Sequence, residues 1–386
     1  MSIIVTGMGA VSAAGLGCQE TATRLFAEPK TPQPITRLTT SLTLPVFEVD
    51  FQSGGATSRT QELLNTALTE ALNSSRLTVD ELKNARVGVC IGTSVACQLN
   101  DIEYYSKLRS GAEPDNSPVK NFYASNPAEV IQRKFKLSGP VFTIANACSS
   151  GTDAIGWGSE LIANDICDIV IAGGADELNR VPLAGFNALG VCGNQPCSPF
   201  DANRQGLNLG EGAGVVILES LAYAAARGIT PELAVVGYGA ATDAYHITAP
   251  HPDGIGLEQA IRQALTGAGI SPEDIDFINA HGTGTASNDR CEGKVLGKVF
   301  GAAVKYLSTK RFTGHTLGAA GALEFIFTAL MLQQGKVAAS SGFKVLPDDI
   351  PFAPVTQQIA GDFAYAMSTS LAFGGCNSAI IIQKVR

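Results

Sequence analysis

Residues 143–156, Thr143-Ile144-Ala145-Asn146-Ala147-Cys148-Ser149-Ser150-Gly151-Thr152-Asp153-Ala154-Ile155-Gly156, begin apolar and β-like and break at small residues. They then run into helical spacing as far as about Leu161. A strand that turns sharply into a helix belongs to an α/β fold. Cys148 stands at the turn. The unpaired N–H groups and the dipole at a helix start favour negative charge there. Such conditions lower a thiol pKa and make a nucleophile, although a free cysteine is more often inert core packing. This stretch alone leaves both readings open.

The rest of the chain shows how large a frame surrounds that turn. At 386 residues there is room for two domains or one duplicated unit. The 42 glycines point to many tight strand-to-helix turns rather than a low-complexity segment. A net charge of −8 disfavours nucleic acid as a general partner. The nine cysteines contain no CxxC pair, and Cys192 and Cys197 lack histidines spaced for zinc, so neither a metal site nor a disulfide framework is expected. Reduced thiols fit a cytosolic protein. We expect no signal peptide and, with no run of 18 apolar residues, no membrane span.

Ile3-Ile4-Val5 followed by Gly7, Gly9 and Gly15 reads as a strand and a glycine turn. Ser12 stands where a dinucleotide fingerprint needs its third glycine, so no nucleotide site is expected. Pro29 to Pro45 reads as an irregular surface excursion. Helical spacing covers Ser58 to Leu72, and Val87 to Thr93 is a buried strand. Cys97 to Pro118 is polar and mixed, a loop or short helices. Asp168 to Ala175 and Val215 to Glu219 read as strands, the second preceded by Gly210-Glu211-Gly212-Ala213-Gly214. After Thr230-Pro231 the pattern restarts. Ala234 to Gly239 and Ile275 to Ala280 are strands, Leu257 to Ala268 and Thr316 to Leu332 are helices, and Ser378 to Gln383 closes the chain. The expected fold is a duplicated α/β unit, residues 1–229 and 230–386, with two sheets packed through helices.

Of four histidines, His281 ends a strand and enters Gly282-Thr283-Gly284-Thr285, and His315 precedes the Gly- and Ala-rich helix. Ends of this kind face the ligand crevice in α/β folds. A capping role would suit either histidine equally well.

Taken together, these segments resemble the elongating β-ketoacyl-acyl carrier protein synthases of the thiolase superfamily. The resemblance rests on Val5-Thr6-Gly7-Met8-Gly9, Ala145 to Ser150, Ala172-Gly173-Gly174-Ala175 and Pro199-Phe200-Asp201. It continues through Gly210 to Gly214, His281 to Thr285, Gly314 to Glu324 and Phe373-Gly374-Gly375-Cys376-Asn377. It implies a five-layered α-β-α-β-α fold and a decarboxylative condensation of a cysteine-bound acyl chain with a malonyl thioester. It implies Cys148 as nucleophile, with the amides of Cys148 and Phe373 as one oxyanion hole. His281 and His315 would serve the malonyl thioester oxygen. Lys310 and Glu324 would form a buried pair behind the histidines, Thr283 and Thr285 would hold the phosphopantetheine arm, and Phe373 would gate the acyl pocket. No cofactor is implied beyond the substrates' own carrier arm. The implied partners are acyl carrier protein and either a second copy or a ketosynthase-like chain-length factor.

The chain departs from the family at Gln205-Gly206-Leu207 after Arg204, at Leu371-Ala372 before Phe373, and at Thr152 and Asp153, where housekeeping enzymes are more apolar or aromatic. These departures suit a specialised ketosynthase, for example of an aryl polyene or polyketide-like pathway. Thiolases, initiating synthases and chalcone synthases are disfavoured by the Gly314-His315 pair. A non-condensing chain-length-determining subunit is disfavoured by Cys148.

Overall fold

The computed structural model describes residues 3–51, 58–95 and 102–385. Five strands of the first half are β1 (Ile3–Ser12), β2 (Val87–Gly92), β3 (Val141–Ile144), β4 (Ile169–Asp176) and β5 (Gly212–Ser220). Five of the second are β6 (Leu233–Thr242), β7 (Phe277–Asn279), β8 (Lys305–Leu307), β9 (Tyr365–Leu371) and β10 (Cys376–Lys384). The spatial order is β1-β5-β4-β2-β3 in one half and β6-β10-β9-β7-β8 in the other. In each, the first two pairings are antiparallel and the last two parallel. The same topology is therefore built twice. The two sheets also meet edge to edge, where Ile3 to Val5 pair with Val235 to Leu233.

The helices α1 (Arg59–Ser75), α2 (Ser150–Ala163), α3 (Ile255–Ala268), α4 (Ala286–Phe300) and α5 (Ala320–Gln334) complete the layers. Helices α2 and α5 touch each other between the sheets, α1 covers β1 and β5, and α3 covers β6 and β10. Ser58 starts α1 because its hydroxyl accepts the Gln61 N–H at 3.3 Å. The segment Leu317–Gln334 is apolar enough to cross a membrane by composition, but 89% of it is buried inside the protein, which makes it the core helix.

Gly7 and Gly9 do not form the expected turn; both lie inside the ten-residue β1. A Cβ at Gly7 would stand 2.2 Å from the Ala71 carbonyl oxygen, and one at Gly9 2.0 Å from that of Ala67. The second half repeats the device, with Gly237 and Gly239 2.2 and 2.1 Å from the carbonyls of Ala264 and Ala260. These glycines let a helix backbone rest on the strand. Gly212 and Gly214 are likewise strand residues of β5, not a turn before it. The expected excursion from Pro29 holds one short pairing, Gln33–Pro34 with Pro45–Val46. Of the stretch from Cys97 to Pro118, residues 97–101 lie outside the described residues, and Ile102–Arg109 and Ser117–Ala124 are helices.

The turns that lead into α2 and α5 are also copies. Ala147 and Leu317 are left-handed, with φ of 49° and 55°. Each opens a short 3₁₀ turn, Ala147–Ser149 or Leu317–Ala319, that runs on into the helix. Gly151 packs against Ala322, and Gly321 against Thr152, each with 2.7 Å from the would-be Cβ to the opposing backbone nitrogen. By this symmetry Gly318 is the counterpart of Cys148. Only one of the two turns carries a cysteine at this position.

Candidate active site

The two halves bring Cys148, His281 and His315 into one pocket, which Phe373, Thr283 and Thr285 also line. Cys148 Sγ is 3.0 Å from His315 Nε2. The rings of His281 and His315 meet edge to face, 5.2 Å between centroids. On the far side of His281, Lys310 Nζ is 3.0 Å from Nδ1 and is ion-paired with Glu324. An ammonium group only donates, so Nδ1 accepts and the His281 proton sits on Nε2. Lys310 is 1% exposed and Glu324 3%, so each is the other's compensation for lost water.

Local structure sets each group. His315 is held through its backbone, which donates to the Asn208 carbonyl at 2.7 Å and accepts from Gly210 N–H at 3.0 Å. Gly314 before it has φ of 66°, and a Cβ there would come within 2.8 Å of Phe47, so only glycine fits. The His281 loop hangs on a carboxylate of α4: Glu292 accepts the N–H groups of His281 and Gly282, each at 2.8 Å, and the Thr369 hydroxyl at 2.7 Å. Asp289 on the same helix accepts Phe200 N–H at 2.7 Å and Gly284 N–H at 3.1 Å. Thr283 and Thr285 share a hydroxyl contact of 2.9 Å at the pocket wall.

Three of these supports were not legible in the motifs. Asp176, at the end of β4, accepts Thr93 Oγ1 (2.6 Å), Ser94 N–H (2.8 Å), Val95 N–H (2.9 Å) and Gly318 N–H (2.6 Å). It ties the turn after His315 to a loop whose Ser94 hydroxyl bonds the Ala147 carbonyl at 3.0 Å. Burial lifts its carboxyl to about 6. Glu292 is the second. The third is Phe186, stacked on Phe373 at 5.1 Å and set edge-on to His315 at 6.2 Å. The available signals were an acid ending an otherwise apolar strand, and two acids three apart on the inward face of a helix.

The departures are accommodated. Arg204 reaches Asp349 at 3.2 Å, and Gly206, with φ of 113°, donates to the Gly284 carbonyl at 3.0 Å. Thr152 shares a 2.8 Å hydroxyl contact with Ser370.

The expected lowering of the thiol pKa does not hold. Burial pushes the Cys148 thiol up to about 12, and Lys310 and the Phe373 amide only partly offset this. Burial, with Lys310 nearby, also drives both imidazoles well below their usual range. At rest, burial thus favours the uncharged form of the thiol and of both imidazoles. Such a site forms a thiolate only as His315 Nε2 takes the proton, and it offers the His281 Nε2–H to a developing oxyanion.

A cysteine at a strand-to-helix turn, beside two buried imidazoles on a duplicated α/β frame, fits a condensing acyltransferase with the thiolase-like ketosynthase fold. The beta-ketoacyl synthase N-terminal domain matches residues 1–224 and the C-terminal domain residues 233–344. The chain is 33% identical over 407 residues to the 3-oxoacyl-(acyl-carrier-protein) synthase 2 of Staphylococcus aureus (strain COL), covering 99% of this chain and 98% of the relative. Among solved structures it is similar to a chain of the ishigamide ketosynthase/chain length factor, with TM-score 0.92, 30% identity and coverage of 100% and 99%. It is also similar to a chain of the ketosynthase solved in complex with its chain length factor from Xenorhabdus doucetiae, with TM-score 0.86, 32% identity and coverage of 100% and 98%. This chain belongs to the beta-ketoacyl synthase family. It is a β-ketoacyl-acyl carrier protein synthase, which joins an acyl chain to a malonyl unit with loss of CO2.

Proposed function

We propose that this chain is the condensing subunit itself, working on carrier-bound substrates in a specialised polyene or polyketide-like pathway. The observation that carries the condensing role is the 3.0 Å contact of Cys148 Sγ with His315 Nε2, beside a second imidazole with its proton on Nε2, and the likeness to ketosynthases solved with chain length factors supports the pathway type. In the first half-reaction Cys148 Sγ bonds to the acyl carbonyl carbon while His315 Nε2 takes the thiol proton. The amides of Cys148 and Phe373 hold the oxyanion. The carbon–sulfur bond to the carrier arm then breaks, and the proton passes to the departing thiolate. In the second half-reaction the malonyl carbon–carboxylate bond breaks and CO2 leaves. The electron pair enters an enolate whose oxygen faces His281 and His315. That carbon attacks the acyl-cysteine, and the Cys148 thiolate departs and is reprotonated through His315 Nε2 by a proton drawn from solvent, the one proton the overall condensation consumes. Lys310 and Glu324 keep His281 in the donating tautomer.

Thr283 and Thr285 suit the phosphopantetheine arm, and Phe373, stacked on Phe186, suits a gate. The protein would work in the cytosol with acyl carrier protein, and the described cysteines are all free thiols. Two similar solved structures, each a ketosynthase with a chain length factor, support pairing with such a subunit, a second copy being the alternative.

The test is intact mass after mixing with a panel of acyl carrier thioesters, beside a Cys148→Ala control. One acyl group gained only by the wild type is expected, and the preferred primer then names the substrate class. No acylation by any primer, with or without a partner subunit, overturns the proposal.

A further inference from the structure

The nucleophile turn is anchored by a carboxylate that the reaction scheme above does not use. Asp153, 2% exposed, lies on α2 just after the turn. Its Oδ2 accepts the Asn146 side-chain amide at 3.0 Å and the Ser149 hydroxyl at 2.9 Å, one on each side of Cys148. Its Oδ1 accepts the Tyr238 hydroxyl of β6 at 2.9 Å and the Ser378 hydroxyl of β10. All four donors are neutral. A buried carboxylate with only neutral donors is a demanding arrangement, because the lost hydration must be replaced by hydrogen bonds alone.

The duplication shows that the fold does not require it. If Gly318 is the counterpart of Cys148, then Leu323 is the counterpart of Asp153. Leu323 lies over Gly212 and Gly214 of β5, its Cδ1 3.0 Å from a would-be Cβ at Gly212 and its backbone nitrogen 3.0 Å from one at Gly214. The register of β1 with β5 and of β6 with β10 pairs Ala10 with Gly214 and Ala240 with Ser378, so Gly214 and Ser378 are also counterparts. One turn is thus seated on its sheet by a leucine over glycines. The other, which bears the nucleophile, is seated by a carboxylate on hydroxyls. Gly156 completes the polar seat: a Cβ there would stand 2.3 Å from the Tyr238 ring, so its absence lets that ring cross α2 toward Asp153.

We infer that Asp153 is a positioning residue that registers the two oxyanion-hole amides, Cys148 in one half and Phe373 in the other, against each other. The Ser378 that it holds lies on the strand leading directly from the turn Phe373–Gly375. The Asn146 and Ser149 that it holds flank Cys148. The inference rests on the ketosynthase reading and adds a residue to it.

Tyr238→Phe and Ser378→Ala each remove one donor to Oδ1 while leaving the side chain close to its original shape. Two rates are compared in the double variant. The first is acylation of Cys148 by the best carrier thioester, which needs the oxyanion hole. The second is malonyl-thioester decarboxylation by protein whose Cys148 has been blocked with iodoacetamide, which needs only the histidines. Acylation is expected to fall on the order of 10- to 100-fold, as for a small misplacement of reacting groups, with decarboxylation unchanged. Acylation at the wild-type rate overturns the inference, and so does an equal fall in both rates, which a merely structural role would produce. If the wild-type protein itself is acylated by no thioester, the ketosynthase reading fails and this inference falls with it.

Discussion

His315 Nε2 lies 3.0 Å from Cys148 Sγ across 167 positions of sequence, while His281, in the same half as His315, makes its polar contact with Lys310 instead. The two histidines are therefore not equivalent. One faces Cys148, and the other is backed by the buried Lys310.

Their substitution separates the half-reactions. His281→Ala should retain acylation of Cys148 and lose decarboxylation by on the order of 100- to 1000-fold, the usual effect of removing one oxyanion donor. His315→Ala should slow both. Intact-mass acylation rates and CO2 release, measured on the same preparations, check this. Equal defects in the two variants would contradict it.

The thiol should behave as a buried one. With its pKa up to about 12 instead of the reference 9.0, Cys148 stays largely protonated through neutral pH. Its alkylation by iodoacetamide should rise about tenfold per pH unit from pH 7 to pH 10, since only the thiolate reacts. A plateau below pH 9 would show that the helix start and Lys310 outweigh burial after all.

Lys310 contacts both His281 and Glu324, so its substitution separates a structural from a chemical contribution. Lys310→Ala leaves Glu324 buried and unpaired, which should destabilise the fold by about 3–5 kcal/mol. Lys310→Met combined with Glu324→Gln should recover much of that stability but little activity, because His281 Nδ1 then lacks its donor. Urea unfolding and condensation rates distinguish the two effects. Full activity in the double variant would count against the tautomer argument.

The strand glycines give a stability test in matched pairs. Gly9→Ala and Gly239→Ala each force a methyl into a helix carbonyl, at 2.0 and 2.1 Å, and should destabilise by about 1–3 kcal/mol or more. Gly185→Ala, in the exposed middle of the helix Arg180–Ala188 with nothing within 4 Å, should stabilise by about 0.5–1 kcal/mol. Chemical denaturation midpoints decide. A tolerated Gly9→Ala would mean that α1 can lift off β1.

Most buried strands and long helices were legible because apolar runs and helical spacing are local signals. The core of α2 runs from Ser150 to Ala163, close to the expected end at Leu161. Gly7 and Gly9 misled because a glycine that opens a turn and a glycine that admits a helix look alike in one dimension. The repeat at Gly237 and Gly239, already visible as a strand, was the signal that could have separated them.

The sequence by itself determined the chemistry at hand, a cysteine at a strand-to-helix turn and two histidines at loop-borne ends, while the pairing of Lys310 with Glu324 came only through the family resemblance. Residue type and local conformation suffice for the cysteine and the histidines. Tertiary structure alone decided that these groups converge, that the thiol is too buried to ionise at rest, and that Asp153 rather than a second leucine seats the armed turn. Those outcomes depend on the loss of water and on partners from the other half of the chain. Neither is set by the residues that lie next to one another in sequence.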